Sequence, residues 1–312
     1  MSVTTNESAQ GLTGAERTPS SDGKESSKSW DWRRIALDTL PYLLSVGLLI
    51  VLAWPMLRWW VWEYTRPESY YAHGPLIPLM AGFMLWSQRK RLAEVPKAPF
   101  LPALALFIPA LALHIFATKM EARALESYSF VLSLWSAAWL ALGTRFVKAA
   151  WFPLAFIALM MPLPGPVLND ATLRMQMSST RAASLILRLL GFGNMQSGPD
   201  IQMDNYAFEV DVPCSGFKTL LALFTFNAFL AAMLDGPIWK RLLLFLLCVP
   251  LALLINSVRI ALIGIVGECI SDQAAHVFHD YSGLIVLALG FVLLFGIAKV
   301  LGCRKFAGWA IF

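Results

Sequence analysis

The sequence predicts an all-α polytopic membrane protein: about eight transmembrane helices, an outer amphipathic helix and a small β-hairpin before the sixth helix. Three observations lead there. The 312 residues are 57% hydrophobic and 14% charged, with a mean hydropathy of +0.60, whereas an average soluble domain is ~25% charged. Apolar runs near the ~20 residues needed to cross a bilayer recur along the chain. The Lys and Arg residues between those runs gather on every second turn, as the positive-inside rule expects of cytoplasmic loops. That placement accounts for the net charge of +5 without a nucleic-acid partner and leaves membrane lipids as the expected surroundings.

Residues 1–32 are rich in Ser, Thr, Gly and Glu and poor in apolar side chains. They read as a disordered cytoplasmic tail, and the first apolar run begins too late for a signal peptide. Residues 33–312 form the membrane domain, with spans expected at 37–60, 71–88, 99–117, 127–143, 146–163, 216–235, 240–266 and 282–303. The basic groups Arg33–Arg34, Arg89–Arg91, Arg145 and Lys148, Lys240–Arg241 and Arg304–Lys305 all fall on one side of such an arrangement. Both termini are therefore expected inside, at the cytoplasmic (inner) membrane, and the loop 162–213 outside. Met161-Pro162-Leu163-Pro164 ends the fifth span. Val167 to Leu190 is amphipathic and expected to lie along the outer interface, with Arg174, Arg181 and Arg188 wet. Ile201 to Val212 alternates loosely, as a hairpin does.

That loop ends in Val212-Pro213-Cys214-Ser215-Gly216-Phe217. A cysteine stands where an aqueous segment becomes an apolar helix. Free N–H groups and the positive end of the helix dipole favour the reactive thiolate at such a place; the competing reading is a small residue at a helix start. Two more polar groups stand out nearby: Arg259, inside the seventh apolar run in Asn256-Ser257-Val258-Arg259, and His279, just before the eighth span. Their depths follow from the cytoplasmic anchors at ~1.5 Å per helical residue. Asp235 back to Cys214 is about 32 Å, Lys240 on to Arg259 about 28 Å, and Arg304 back to the eighth helix start about 33 Å, against a hydrocarbon core about 30 Å thick. All three reach one interface.

A thiol, an imidazole and a fixed cation at one depth suit acyl transfer, with His279 as acid/base and Arg259 at the oxyanion. Each also has a plainer reading: Arg259 paired with Glu268 or Asp272, His279 an ordinary interfacial residue. His73, beside Gly74-Pro75 before the second span, is either a turn residue or a group that orients the site. The cysteines Cys214, Cys248, Cys269 and Cys303 form no CxxC and no Cys/His spacing of a zinc site, so no metal and no cofactor is expected. A Cys214–Cys269 disulfide would argue against a nucleophile.

These residues carry a resemblance. Cys214-Ser215-Gly216, the Asn-x-x-Arg of Asn256 to Arg259 and the His-x-x-x-Gly of His279 to Gly283 are similar to the exosortase/archaeosortase family. Tyr71-Ala-His73-Gly74-Pro75-Leu76-Ile77-Pro78 resembles its early signature and Met161-Pro162-Leu163-Pro164 its mid-chain one. The resemblance implies a membrane cysteine protease/transpeptidase. Its partners would be exported proteins whose C-termini carry a short motif such as Pro-Glu-Pro, a transmembrane helix and a basic tail, cut at the outer face of the membrane in exopolysaccharide-associated sorting. By position it assigns the nucleophile to Cys214, the essential arginine to Arg259 and the essential histidine to His279, not His276, with Asn256, Ser215 and Gly216 in support. Pro213 departs from the small residue found in many members. Two other classes compete: a transporter or flippase of a lipid-linked sugar, which would want several basic groups in a mid-membrane cavity and internal repeats, and a non-catalytic component of a polysaccharide export system.

Overall fold

The computed structural model describes residues 51–310 apart from 52, 68, 304 and 308. The elements all belong to the compact unit Leu52–Phe312; the tail expected at 1–32, and most of the first span, lie outside the described residues. Among the described residues ten helices succeed one another: α1 (53–65), α2 (Leu76–Ser87), α3 (Arg89–Ala93), α4 (Leu104–Lys119), α5 (Arg123–Ala149), α6 (Trp151–Phe156), α7 (Gly165–Leu189), α8 (Phe217–Met233), α9 (Ile238–Cys269) and α10 (Asp272–Val300). Between α7 and α8 lies an antiparallel sheet of β1 (Met195–Ser197), β2 (Asp200–Gln202) and β3 (Ala207–Glu209), in that order. The expected hairpin is thus its β2–β3 half, and β1 is an added strand. Lys305–Phe306 and Trp309–Ala310 pair at the chain's end, where a bridge from Leu234 to Phe306 ties them to the α8–α9 turn.

Four helices among the described residues are long and apolar enough to cross a membrane: Leu101–Lys119 (a 3-10 turn leading into α4), α5, α9 and α10; counting one bent pair as a single span gives five. The expected eight is not reached, for physical reasons. The run at 71–88 spends its first residues in turns, and its helix, α2, has 12 residues. α8 has 17. The fifth run ends early: α6 and a 3-10 turn reach only Met160, and α7 leaves at 83° after the Pro162-Leu163-Pro164 break. The expected boundary between the fourth and fifth spans falls at Gly143, where α5 kinks through φ 81°, ψ 168°. A β-carbon there would collide with the Ala98 carbonyl oxygen, so only glycine lets the two segments cross so closely.

The amphipathic helix α7 packs against the protein with a largely polar stripe: its buried residues are Thr172, Met175, Gln176, Ser179, Thr180, Ala183, Ser184 and Leu187, while Leu173 is 54% exposed. Small or polar residues at helical spacing allow close approach to α9. The three arginines are exposed, as expected. Ala183 and Leu187 pack with Ile201, Val210, Cys214 and Ile260 in a cluster directly under the cysteine. A second cluster joins α8, α9 and α10 through Leu223, Leu244, Cys248 and Leu294.

Candidate active site

Val212 to Ser215 form one 3-10 turn and Gly216 comes next in the left-handed region, φ 83°. Pro213 fits because the first residues of such a turn need no N–H partner. Cys214 therefore stands just ahead of α8, outside its first turn, a shift from the expected helix start. The Cys214 N–H donates to Asp211 O at 2.9 Å.

Val210, Cys214 and Ser215 are buried and their carbonyls need donors, which two helices supply. Gln176 Nε2 donates to Val210 O at 2.5 Å and Ser179 Oγ to Ser215 O at 3.2 Å, both from α7; Asn256 Nδ2 of α9 donates to Cys214 O at 3.2 Å. Ser215 Oγ accepts from Phe217 N–H at 3.3 Å, where the turn passes into α8. Gly216 and Asn256 are one fitted pair. A β-carbon on Gly216 would lie 2.5 Å from Asn256 Cγ, so the amide occupies the room that glycine leaves. This is the physical content of Cys-Ser-Gly followed by Asn-x-x-Arg.

Three elements meet at the thiol. His279 of α10 places Nε2 at 2.5 Å from Cys214 Sγ, across 65 residues of sequence. Its Nδ1 faces Asp280 Oδ1 at 3.2 Å; donation from Nδ1–H leaves the Nε2 lone pair for the S–H proton. Arg259 is half-buried on α9. Its Nε donates to Ser282 Oγ at 2.8 Å and Nη2 to His279 O at 3.1 Å, and Cys214 is within its electrostatic reach. Both of those acceptors are neutral. The carboxylates of the plainer reading are occupied elsewhere: Glu268 holds Asn205, and Asp272 faces His276 at 3.5 Å. His276 is exposed and takes no part in the contacts among Cys214, Arg259 and His279. No disulfide involves any of the four cysteines, so there is no Cys214–Cys269 bridge.

His73 stands apart. Its Nε2 lies 3.2 Å from Thr225 Oγ1 on α8, roughly 12 Å along that helix from its start, and its ring leans on Tyr71. Tyr71 in turn accepts from Leu163 N–H at 2.8 Å, which joins the early signature to the mid-chain one. Sequence alone does not single out Gln176, Ser179 or Ser282. The signal for the first two is the small-polar stripe of α7; for Ser282, its place three residues after His279 on the same helix.

The sheet is fastened to the last turns of α9. Glu268 accepts from Asn205 N–H and Nδ2 at distances between 2.7 and 3.1 Å. Tyr206 fills the notch over Gly267, where a β-carbon would run into the ring, and Phe208 sits over Gly264. Burial, then the Asp272 carboxylate, push the Tyr206 phenol above its usual range.

No curated protein and no solved structure matches the chain. The family model for the transmembrane exosortase (Exosortase_EpsH) matches residues 59–296, a stretch that contains His73, the Cys214 turn, Asn256, Arg259 and His279. The chain, a multi-pass membrane protein built around that cluster, belongs to the transmembrane exosortase family.

Proposed function

We propose that this exosortase is a cysteine peptidase/transpeptidase that cuts C-terminal sorting signals of exported proteins at the outer face of the cytoplasmic membrane. The observation that carries the reading is the contact of Cys214 with His279, made by the turn before α8 and by α10, which meet only through the tertiary fold. His279 Nε2 takes the thiol proton and the sulfur attacks the scissile carbonyl carbon. The carbonyl electrons move to oxygen, and Arg259, whose fork has five donors and two neutral partners, faces the resulting oxyanion. As the C–N bond breaks, His279 returns the proton to the leaving amine. A thioester on Cys214 remains; water or a second nucleophile, deprotonated by His279, releases it. Ser282 and the His279 carbonyl hold the guanidinium, and Asn256 with Ser179 holds the turn.

The substrate class is an exported protein ending in a short motif, a transmembrane helix and a basic tail. The test is processing of such a protein in cells, comparing wild type with Cys214→Ala at matched membrane levels. Loss of cleavage in the variant is the expected result; cleavage at the wild-type rate would overturn the thiol mechanism. The side of the membrane is tested separately: a Gly193→Cys variant should react with an impermeant thiol reagent in intact cells.

A further inference from the structure

The three-stranded sheet ends in a free edge beside the nucleophile. Hydrogen-bonded and non-bonded pairs alternate in an antiparallel ladder, and the bonds Met203 N–H to Tyr206 O and Val210 N–H to Pro199 O fix the phase. The backbone groups of Phe208 therefore point at β2. Those of Ala207 and Glu209 point away, and among the described residues nothing takes them. Such an edge is a template for another strand.

What lies against the edge is a cavity of about 290 Å³. Ala207, Phe208, Glu209 and Val210 form one wall; consecutive rather than alternate residues line it, as happens when a strand shows its edge and not its face. Ile260 and Ile263 of α9 also line it, Ala275, His276 and His279 come from α10, and Cys214 belongs to the same lining. The edge is held in register, because Tyr206 and Phe208 are seated at Gly267 and Gly264. Going down α9, Tyr206 meets Gly267, Phe208 meets Gly264 and the Cys214 carbonyl meets Asn256, so the line of β3 leads to the thiol. Glu209, Asp211 and Asp272 also border the cavity, three carboxylates that repel an acidic occupant.

We propose that β3 is the docking strand for the substrate: the residues on the amino side of the scissile bond lie extended in this cavity, add to the sheet as a fourth strand parallel to β3, and are non-acidic. This rests on the peptidase reading above. In that reading the transmembrane helix of the signal lies after the cut, so the substrate passes Cys214 in the direction β3 itself runs. Main-chain bonds to Ala207 and Glu209 supply affinity without reading sequence, and alternate side chains meet Ile260 and Ile263. A glutamate in this stretch would face Glu209 or Asp211, which sets the preference apart from a Pro-Glu-Pro motif lying along β3.

The test uses exported reporters with a short randomised segment, a leucine/alanine helix of ~20 residues and a Lys/Arg tail, expressed with the full-length enzyme. Reporters that are cut define the recognised segment, which should lack Asp and Glu before the cut. A proline is then walked through it. Because one strand residue in two turns its N–H to the neighbour, processing should fall at alternate positions. On the enzyme, Ala207→Pro and Glu209→Pro remove outward N–H groups without touching the bonds to β2, since edge strands tolerate proline there. Each should lower processing about tenfold, the factor for one or two lost hydrogen bonds. Gln196→Pro on the far edge, β1, should not, and alkylation of Cys214 by a small reagent should proceed at an unchanged rate in all three. Cut reporters without the two-residue period, or with full processing by both β3 variants, would overturn strand docking and leave the peptidase standing. No reporter cut by wild type, from a library that includes neutral and basic segments, would overturn both.

Discussion

Two polar knots sit in this membrane protein, each with an arginine and a histidine, and they are built oppositely. At the α4–α5 turn, Glu126 is fully buried and receives Arg123 at 3.0 Å and Thr118 Oγ1 at 3.1 Å. His114 faces the Glu126 carbonyl at 3.1 Å, and Trp60 donates to Ser127 at 2.9 Å. The cation has its anion one turn away, and these partners of Glu126 lie within about three turns of it in sequence. Around Cys214, by contrast, the members come from three helices and the turn before α8, and Arg259 holds only neutral acceptors besides its approach to the thiol. A charge neutralised by a neighbour fastens a fold. A charge held in place by dipoles keeps its field for whatever anion forms beside it.

The sharpest way to break this comparison is to remove one member of each knot. Cys214→Ala and His279→Ala should bring reporter processing to background. Glu126→Ala should leave processing per folded molecule within about twofold, as expected away from the chemistry, while lowering stability in detergent by up to about 3 kcal/mol. That is the low end for a broken buried pair, because the Arg123 side chain is 33% exposed. Thermal melts and processing on the same preparations separate the two outcomes; loss of specific activity in Glu126→Ala would end the distinction.

Arg259 comes next. Arg259→Ala should slow processing by ~10²–10³, the scale of one lost oxyanion donor. Arg259→Lys should recover little of it, because an ammonium does not reproduce the fork that spans Ser282 and the His279 carbonyl. A lysine variant near wild type would mean that charge alone suffices.

A smaller effect sharpens the account of the turn. Gly216→Ala places a β-carbon against Asn256 at a positive φ and should slow processing about tenfold, in line with a left-handed alanine at ~1–2 kcal/mol. Asn256→Ala opens the space, so the double variant should be less impaired than the two single effects combined. Additivity would show that the two residues act separately. Smallest of all, His276→Ala removes an exposed i,i+4 pair with Asp272, worth little, and trims one wall of the docking cavity without touching Cys214, so it should change processing by no more than a few-fold, far less than His279→Ala.

Much of the site is legible in the sequence because helices are rulers. Cys214, Arg259 and His279 can be put at one depth by counting from the far ends of their helices, and depth is the coordinate that matters. What the sequence hides is lateral. The buried stripe of α7 is largely polar, and polarity reads as solvent; Gln176 and Ser179 are inside because they meet the Val210 and Ser215 carbonyls on either side of Cys214. The broken fifth run is hidden for the opposite reason. Its composition is that of a span, and only the Pro162-Leu163-Pro164 break, with its 83° turn, ends it at Met160. β1 escapes notice because three residues give no period, and the sheet's place on α9 depends on Gly264 and Gly267, two gaps that hydropathy does not register.

The separation of Cys214 and His279 by 65 residues also sets an order of events in synthesis. On the proposed mechanism, a ribosome that has just made Cys214 has made a nucleophile without its base. At ~5–20 residues per second the imidazole arrives roughly 3–13 s later, and it reaches the thiol only once α9 has been laid between them and α10 has turned back. On that reading the nascent chain is inert toward substrate until α10 is in place, and any product of premature termination before α10 remains so.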